Sequence, residues 1–380
     1  FTSLAHAGGD RCVARLAPMV AVWPNDGLAA RAQTGVEILG TIGTDAALVA
    51  LHRFSQKAKT KGLKTAALEK MEEIAQSRGL TADELADRLV PDVGLDDAGT
   101  LELDLGDRVL TIGFDEHLAP FLREPDGSRL TAFPKASKQG DPAKYKEAKA
   151  RFAQLQKDVK EVAKHVLSRM ENAMASGRGW PAEVAESCFF THPLMRHLAG
   201  RVAWTAWVDG VAVGSFRIAE DGSPSTPSDD AFTLPPKATV TLLHPVRASK
   251  SEVAELGDRF ADYELVQPFE QLTRPVFALA KGEGGTKLVR FVGKKVPSKR
   301  IFTLESHGWT RTIIGRSSKA IGDVTATLQY SPGIDGSPDA WQSDEQTLGE
   351  LTLEGGTLES LDPLALSELL YDVERMFASE

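Results

Sequence analysis

The chain has 380 residues, of which 42% are hydrophobic and 26% are charged, and its formal net charge is −9. This length allows two or three domains with their own cores, so folding requires neither disulfides nor a structural metal. The two cysteines, Cys12 and Cys188, fit a reducing compartment, and we predict a cytoplasmic protein. The acidic balance argues against nucleic-acid binding, and the sequence has no apolar run of about 18 residues that would predict a membrane span.

Residues 1–92 are predicted to be helical. Leu28–Leu39 and Asp45–Lys57 are apolar-periodic segments separated by the breaker Gly40–Gly43. Thr81-Ala-Asp-Glu84 is a capping box that begins a short helix before Pro91. Paired helices joined by glycine turns resemble a helical-repeat, HEAT-like stack. Because the chain begins with Phe rather than Met, we expect it to be a piece of a longer protein. A repeat array truncated at one end lacks a cap, so we also expect more helices upstream.

Residues 93–140 are predicted to form a small hairpin and a linker. Leu101–Leu105 alternates apolar and polar residues, Gly106-Asp107 suits a tight turn, and Arg108–Ile112 continues the alternation. Residues 124–141, which are rich in Pro, Gly, Ser and Lys, have the composition of a linker.

Residues 141–179 are predicted to form one long amphipathic helix. Asp141-Pro142 supplies an N-cap followed by proline at the first helical position, and Gly177 ends the pattern. Apolar residues recur at spacings of three and four, which is typical of a packing seam with another helix of this chain or of a partner. The members of this stripe are Tyr145, Ala148, Phe152, Leu155, Val159, Val162, Val166, Met170 and Ala173.

Residues 180–380 are predicted to form an α+β domain with a mostly antiparallel sheet. Asp209-Gly210 between two apolar segments is a strong hairpin signal. Ser249-Lys-Ser-Glu252 is a second capping box, and Asp362-Pro363 begins a closing amphipathic helix. Further strands are predicted at 239–243, 275–280, 287–292, 309–314, 323–330 and 348–353.

The stretch Asp262–Phe277 fits neither a helix nor a strand. It contains two prolines, which push Gln267 and Arg274 toward extended backbone, and it carries several polar side chains. We predict an irregular connector between the capped helix and the strand at 275–280.

Several phrases of the sequence resemble the bacterial domain-of-unknown-function family 4132, some of whose members are labelled MolR-like. In order along the chain they are Asp83–Arg88, Pro91–Leu95, Leu103–Arg108, Arg169–Met174 with Arg178 and Trp180, His192-Pro193 with Arg201 and Trp204, Phe216-Arg217, His244-Pro245, Gln267-Pro-Phe with Gln271 and Arg274, Gly308-Trp309, and Ser367-Glu368. The resemblance implies a large, often helical-repeat protein that is frequently encoded near MoxR-type AAA+ ATPases and von Willebrand factor A proteins. It implies no reaction, and the WGR module that many members carry is not recognised in this chain.

Six polar residues are the candidates for a site. His192 and His244 each precede a proline at the end of an apolar segment and are the candidate catalytic groups. Arg217, Gln267, Gln271 and Arg274 are the candidate ligand-binding residues, since a guanidinium can clamp a carboxylate or phosphate. The alternative is that these side chains satisfy buried backbone and carboxylate groups, as an irregular buried connector requires.

Known catalytic motifs are not found, and no cofactor is assigned. Gly282–Lys287 lacks the spacing of a P-loop, and Cys188, His192 and His197 supply only three of the four ligands of a structural zinc site, so no metal is predicted. The basic run Lys287–Arg300 is interpreted as a solvated hairpin face rather than a phosphate site.

Two hypotheses of function follow. The first is a non-catalytic scaffold or interaction module of a larger bacterial protein, whose partner is an AAA+ ATPase or its own N-terminal repeats. The alternative is an enzyme or ligand-binding domain that recognises an anionic or nucleotide-like ligand through the His/Arg/Gln residues.

Overall fold

A computed structural model describes residues 9–58, 60–138, 140–334 and 345–377. Within these ranges the chain forms eleven α-helices and fifteen strands in antiparallel sheets, so the predicted α+β class is confirmed. The chain divides into two compact units. The first contains residues up to Arg169 together with Val184–Leu198, and the second contains Met170–Glu183 together with the chain from Ala199 onward. The predicted four-segment division stays a prediction.

The first unit begins with helices packed around one apolar core. In this region α1 packs on α2 and α3, α2 packs on α3 and α4, and α3 packs on α4. The capping box of Thr81 with Glu84 is present at the start of α5, as predicted. Helices in these positions are therefore confirmed, whereas their HEAT-like character stays a prediction. The bounds are α1 Asp10–Val22, α2 Ala29–Ile42, α3 Asp45–Lys57, α4 Lys61–Ser77 and α5 Ala82–Arg88.

A four-stranded antiparallel sheet follows, with strand order β1-β2-β3-β4. Its first two strands are the predicted hairpin. The last two were not predicted, and β4 lies within the stretch interpreted as a linker, because two polar-flanked residues give no strand pattern of their own. The bounds are β1 Glu102–Asp104, β2 Val109–Phe114, β3 Pro120–Arg123 and β4 Arg129–Leu130.

The long helix α6 spans Pro142–Ser176 and ends before Gly177, whose φ of 68° is the left-handed conformation that glycine favours after a helix. Its apolar stripe is largely buried within this chain; Val159 is fully buried, and Phe133 packs against Phe152 with ring centroids 5.8 Å apart. The buried members of the stripe are not free to meet a partner; that the stripe packs on another helix stays a prediction. Two short helices follow, α7 Ala182–Ala185 and α8 Arg196–Ala199, with a π-helical turn at Glu186–Phe190 between them.

The first sheet of the second unit has five strands in the order β5-β9-β6-β7-β8. The Asp209-Gly210 turn joins β6 to β7 with φ angles of 50° and 77°, and this positive pair confirms the predicted hairpin. The bounds are β5 Gly179–Pro181, β6 Ala203–Val208, β7 Val211–Ile218, β8 Pro224–Ser225 and β9 Thr239–Leu242.

The second sheet of this unit has the order β10-β15-β14-β13-β12, and β11 also pairs with β15. Three predicted strands correspond to β12, β14 and β15, whereas the strand predicted at 287–292 is only two residues long. The bounds are β10 Lys287–Leu288, β11 Lys295–Pro297, β12 Thr310–Ile313, β13 Arg316–Ile321, β14 Val324–Ser331 and β15 Glu345–Glu354.

Three helices complete the second unit: α9 Lys250–Asp262, α10 Ser298–Thr303 and α11 Pro363–Glu374. Ser249 and Asp362 accept hydrogen bonds from the first turns of α9 and α11, so both residues cap these helices as predicted. Of the capping box predicted at Ser249–Glu252, the described residues show the bond to Ser249 Oγ but not the reciprocal bond to Glu252. A 3₁₀ turn at Leu304–His307 follows α10, and another at Arg375–Phe377 extends α11.

The stretch between α9 and β10 is irregular, as predicted for Asp262–Phe277, but the strand predicted at 275–280 is wrong. These residues pair with no strand in the described chain, and the Phe277 amide donates instead to Ser367 Oγ at 3.0 Å. None of the helices in the described ranges has the length and apolarity needed to cross a membrane.

Candidate functional site

A buried ionic cluster forms around Glu368 on the inner face of α11. Arg274 donates from Nε to Glu368 Oε1 at 2.9 Å and from Nη2 to Oε2 at 2.5 Å, which is a bidentate pair. Its remaining Nη1 donates to Glu171 Oε1 at 2.8 Å. Burial by itself would raise the pKa of Glu368, but the hydrogen bonds from Arg274 and His244 outweigh it and lower the pKa to about 2. Glu368 is therefore ionised and fixes two of the predicted site residues.

His244 is held at both ring nitrogens. Its Nδ1 accepts a hydrogen bond from the Val246 amide at 3.1 Å, which caps the 3₁₀ turn at Pro245–Arg247. The proton therefore lies on Nε2, which donates to Glu368 Oε1 at 3.0 Å. A neutral imidazole with both nitrogens bonded and an exposed fraction of only 2% has no open position toward solvent.

Gln271 joins the connector to the first sheet of the second unit. Its Oε1 accepts from the Ala203 amide at 2.8 Å, and its Nε2 donates to the carbonyls of Ala203 and Leu243 at 2.7 and 3.0 Å. Gln267 donates to the same Oε1 at 2.9 Å and accepts from the Leu272 amide. The fully buried Gln271 thus makes hydrogen bonds with the backbone at the start of β6 that a neighbouring strand would otherwise make.

Arg217 and His192 lie apart from this cluster. Arg217 donates to Asp229 Oδ1 from Nη2 at 2.6 Å, and its guanidinium stacks on Tyr263. His192 belongs to the first unit, where Nδ1 accepts from the amides of Leu194 and Met195, so the protonated Nε2 donates to the Val90 carbonyl at 2.9 Å. Burial lowers the pKa of His192. Both His-Pro phrases thus use Nδ1 as a backbone cap.

The structure brings together His244 and Arg274 through Glu368, and Gln267 with Gln271, but it gives Arg217 and His192 separate surroundings. All six side chains have protein partners. The proposed roles of these residues in catalysis or ligand binding stay predictions.

A cleft of about 850 Å³ opens in the second unit beside the Arg274–Glu171 ion pair. Tyr371 lies between the cluster and the cleft. The guanidinium of Arg274 stacks on the Tyr371 ring, 4.0 Å from the ring centroid, and the Tyr371 hydroxyl donates to Glu270 at 3.2 Å. The cleft combines aromatic walls with charged groups of both signs. Its lining residues are Glu171, Glu270, Pro275, Phe277, Arg300, Ser306, His307, Tyr371, Glu374, Arg375 and Phe377.

Sequence reasoning missed three residues that give this cleft its chemistry: His307, Asp372 and Arg375. Asp372 is 1% exposed, and its Oδ2 accepts from Trp309 Nε1 at 2.8 Å and Lys319 Nζ at 2.7 Å. No group in the described part of the chain donates a hydrogen bond to its Oδ1, which lies 3.6 Å from His307 Nδ1. A signal was present in the buried acids Glu368 and Asp372, whose i, i+4 spacing puts two carboxylates on the apolar face of α11.

Arg375 is a half-buried cation with an unusual partner. Its Nη1 contacts His307 Nε2, and its guanidinium lies 5.6 Å from the Tyr371 ring centroid. Among the residues that the structure describes, none offers it a carboxylate oxygen within the 4.0 Å of an ion pair. Arg274 and Arg290, by contrast, each face at least one glutamate.

Two further groups of charged residues already have partners within the protein. Within the basic run, Lys287, Arg290 and Lys295 pair with Glu350, Glu283 and Glu345, which fits the predicted solvated face better than a phosphate site. In the described part of the chain, Asp115, Glu116 and His117 bring three possible metal ligands within 4.8 Å. They form a turn in which Asp115 already accepts from two backbone amides.

Comparison with known proteins identifies relatives but no activity. Residues 127–309 match the family model described as "Domain of unknown function (DUF4132)", so the predicted resemblance is confirmed for that stretch. A protein of Escherichia coli (strain K12), described as "Uncharacterized protein YehI", is 34% identical over 338 residues, which are 88% of this chain and 28% of that protein. The chain thus spans just over a quarter of the relative's length. No solved structure gives a significant match.

Proposed function

We propose that the second unit is a binding domain for a small organic anion, which it holds in the cleft beside His307. The observation that carries this proposal is the guanidinium of Arg375, whose charge has no carboxylate partner among the described residues. A partly buried charge without a counter-ion is unfavourable, and an anionic ligand relieves that cost.

The surroundings of Arg375 define the class of ligand. A guanidinium binds the oxygens of carboxylates and phosphates through paired N–H donors. Phe277, Tyr371 and Phe377 supply apolar wall, so a ligand with an organic body gains more than a bare ion. The volume of about 850 Å³ lies within the range of ligand sites, which is about 300–1,000 Å³.

The glutamates of the cleft do not form an open binding site for a cation, because each already has a partner in the protein. Glu171 is bonded to Arg274 at 2.8 Å, and Glu374 lies 3.8 Å from Arg290. Glu270 accepts from Tyr371 at 3.2 Å. The cleft carboxylates thus have partners, and two of them face arginines, whereas the positive charge of Arg375 faces a neutral imidazole. The lack of a carboxylate partner for Arg375 favours an anion over a cation.

Replacing Arg375 by glutamine is expected to weaken anion binding by about tenfold or more, because a hydrogen bond to a charged group contributes about 1.5–3 kcal/mol. Isothermal titration calorimetry with sulfate, citrate and ADP as probes measures the change. The matched control is Arg259→Gln, which removes the same charge from a partly exposed arginine paired with Asp229 and Asp262. Equal binding by wild type and Arg375→Gln, or equal losses in both variants, contradicts the proposal.

A scaffold role is a second candidate, favoured by the helical region of the first unit. Helices α1 and α2 each pack on the next two helices, and Met19, Val22 and Leu28 are exposed by 51%, 51% and 38% around the α1–α2 corner. Exposed apolar clusters are typical of protein–protein contacts. The partner class that the resemblance implies is a MoxR-type AAA+ ATPase, and a cytoplasmic location is part of this proposal.

The double variant Met19→Glu/Val22→Glu is expected to abolish co-migration of the chain with a purified MoxR-type ATPase in size-exclusion chromatography, because two buried charges would oppose docking. Val211→Glu, at an exposed valine of the second unit, is the control and should co-migrate like wild type. If wild type and the double variant co-migrate equally, or if wild type does not co-migrate, this corner is not the contact surface.

A further inference from the structure

His307 lies between a buried carboxylate and an arginine at the wall of the cleft. Its side chain is 11% exposed, its Nδ1 is 3.6 Å from Asp372 Oδ1, and its Nε2 contacts Arg375 Nη1. Arginine has only donors, so the ring nitrogen that it contacts must be the acceptor. Asp372 Oδ1 beside Nδ1 favours the tautomer that carries its proton on Nδ1, which leaves Nε2 to accept from Arg375.

This arrangement cannot persist if His307 gains a proton. An imidazolium has an N–H at both positions. Its Nε2–H would then oppose the N–H of Arg375, and two positive charges would be in contact. An anion oxygen placed beside both groups removes the conflict, because it accepts hydrogen bonds from Nε2–H and from the guanidinium together.

We infer that the cleft binds its anion together with one proton, which His307 takes up on Nε2 while Arg375 turns its guanidinium to the anion. This inference rests on the proposed anion site. It assigns His307 the role of a second donor to the anion, and it assigns Asp372 the role of a positioning residue that stabilises the imidazolium through Oδ1. The ligand class is an oxyanion with at least two acceptor oxygens.

The charges around His307 determine the direction of the proton linkage. Burial has the largest effect on the pKa of His307 and lowers it; Asp372 and Glu171 act the other way, Arg375 and Lys319 add to the lowering, and the result is below the usual value. These groups face the ring from α11 and its 3₁₀ extension, from α6 and from β13. A bound anion adds negative charge and engages Arg375, so the pKa of His307 must rise on binding.

A group whose pKa is higher in the bound state takes up a proton on binding. Affinity for the anion therefore increases as the pH falls through the bound-state pKa, and the increase ends below the free-state pKa. Sulfate is the appropriate probe, because its own charge is constant between pH 6 and pH 8. We expect wild type to bind sulfate about tenfold more tightly at pH 6 than at pH 8.

The test compares wild type, His307→Gln and the control His117→Gln, whose side chain is 63% exposed in the first unit. His307→Gln should bind sulfate with little dependence on pH, whereas His117→Gln should keep the wild-type dependence. Calorimetric titrations of wild type at pH 7 in buffers of different ionisation enthalpy provide a second measurement that needs no variant. They should show uptake of up to one proton for each sulfate bound.

The outcomes separate the two proposals. If sulfate binds and Arg375→Gln weakens it, but His307→Gln keeps the wild-type dependence on pH or wild type takes up no proton, the proton inference is overturned and the anion site stands. If sulfate, citrate and ADP bind no more weakly to Arg375→Gln than to wild type, the anion site itself is overturned, and the inference with it.

Discussion

Replacing Glu368 by leucine is expected to lower the free energy of unfolding of the second unit by about 3–5 kcal/mol, because the change removes the buried bidentate partner of the Arg274 guanidinium. The side chains of Arg274 and Glu368 are only 1% and 4% exposed, so water cannot replace the lost partner. His244 loses its acceptor in the same step. Glu171 keeps one bond to Arg274 but is itself 30% exposed and cannot fill the bidentate position.

Urea unfolding followed by tryptophan fluorescence measures this loss, since Trp180, Trp204, Trp207 and Trp309 lie in the second unit. Glu350→Gln removes a partly exposed partner of Lys287 and is the control, with an expected change below about 1 kcal/mol. The double variant Arg274→Met/Glu368→Leu should recover much of the loss, because apolar residues often replace a buried ion pair without cost. A single variant as stable as wild type would show that the ion pair contributes nothing.

Low pH should reduce the stability that the ionic cluster around Glu368 contributes. The pKa of Glu368 falls from 4.5 to about 2 in the folded state, because the hydrogen bonds from Arg274 and His244 outweigh the effect of burial. A carboxylate with a lowered folded-state pKa contributes stability above pH 4.5 and loses it as the pH falls toward 2. The difference in stability between wild type and Glu368→Leu should therefore shrink across that window.

Replacing Gln271 by leucine is expected to destabilise the second unit by about 2–4 kcal/mol, because it leaves buried backbone groups without hydrogen bonds. The Ala203 amide and the Leu243 carbonyl each lose a partner, whereas the Ala203 carbonyl still accepts from the Leu243 amide at 2.9 Å. Leucine has nearly the same volume, so packing changes little.

The matched control is Gln267→Leu, at a half-buried side chain that bonds to Gln271 and to the Leu272 amide. It should cost only about 1 kcal/mol, since it leaves fewer buried groups unpaired. The same fluorescence-monitored urea unfolding measures both variants. Equal stabilities for wild type and Gln271→Leu would mean that these hydrogen bonds do not hold the connector to the sheet.

Local signals determined many of the elements that this chain forms. Thr81 with Glu84, Ser249 and Asp362 fixed where three helices begin, because a cap requires only a side chain and the next turn of backbone. Asp209-Gly210 fixed the register of a hairpin for the same reason. The family resemblance depended on short phrases, and it is confirmed for residues 127–309.

The connector Asp262–Phe277 makes contacts that local sequence signals could not predict. Its prolines predicted an irregular backbone correctly, but the apolar residues after Arg274 resembled a strand. A strand requires a neighbour, and the Phe277 amide instead donates to Ser367, 90 residues away. Gln271 likewise bonds to Ala203, 68 residues away, and Arg274 bonds to Glu368, 94 residues away. The sequence shows that these side chains are polar, but not which partners they meet.

The cleft depends still more on tertiary structure. The 3₁₀ turn after α10, β13 and α11 supply His307, Lys319 and Asp372, and none of these positions has a motif that links it to the others. Caps, turns and apolar periods act over a few residues, so the sequence by itself determined the helices, the main hairpins and the α+β class. The pairing of charges depends on distances between segments far apart in the chain, so only the tertiary structure decided that Arg375 faces an imidazole instead of a carboxylate.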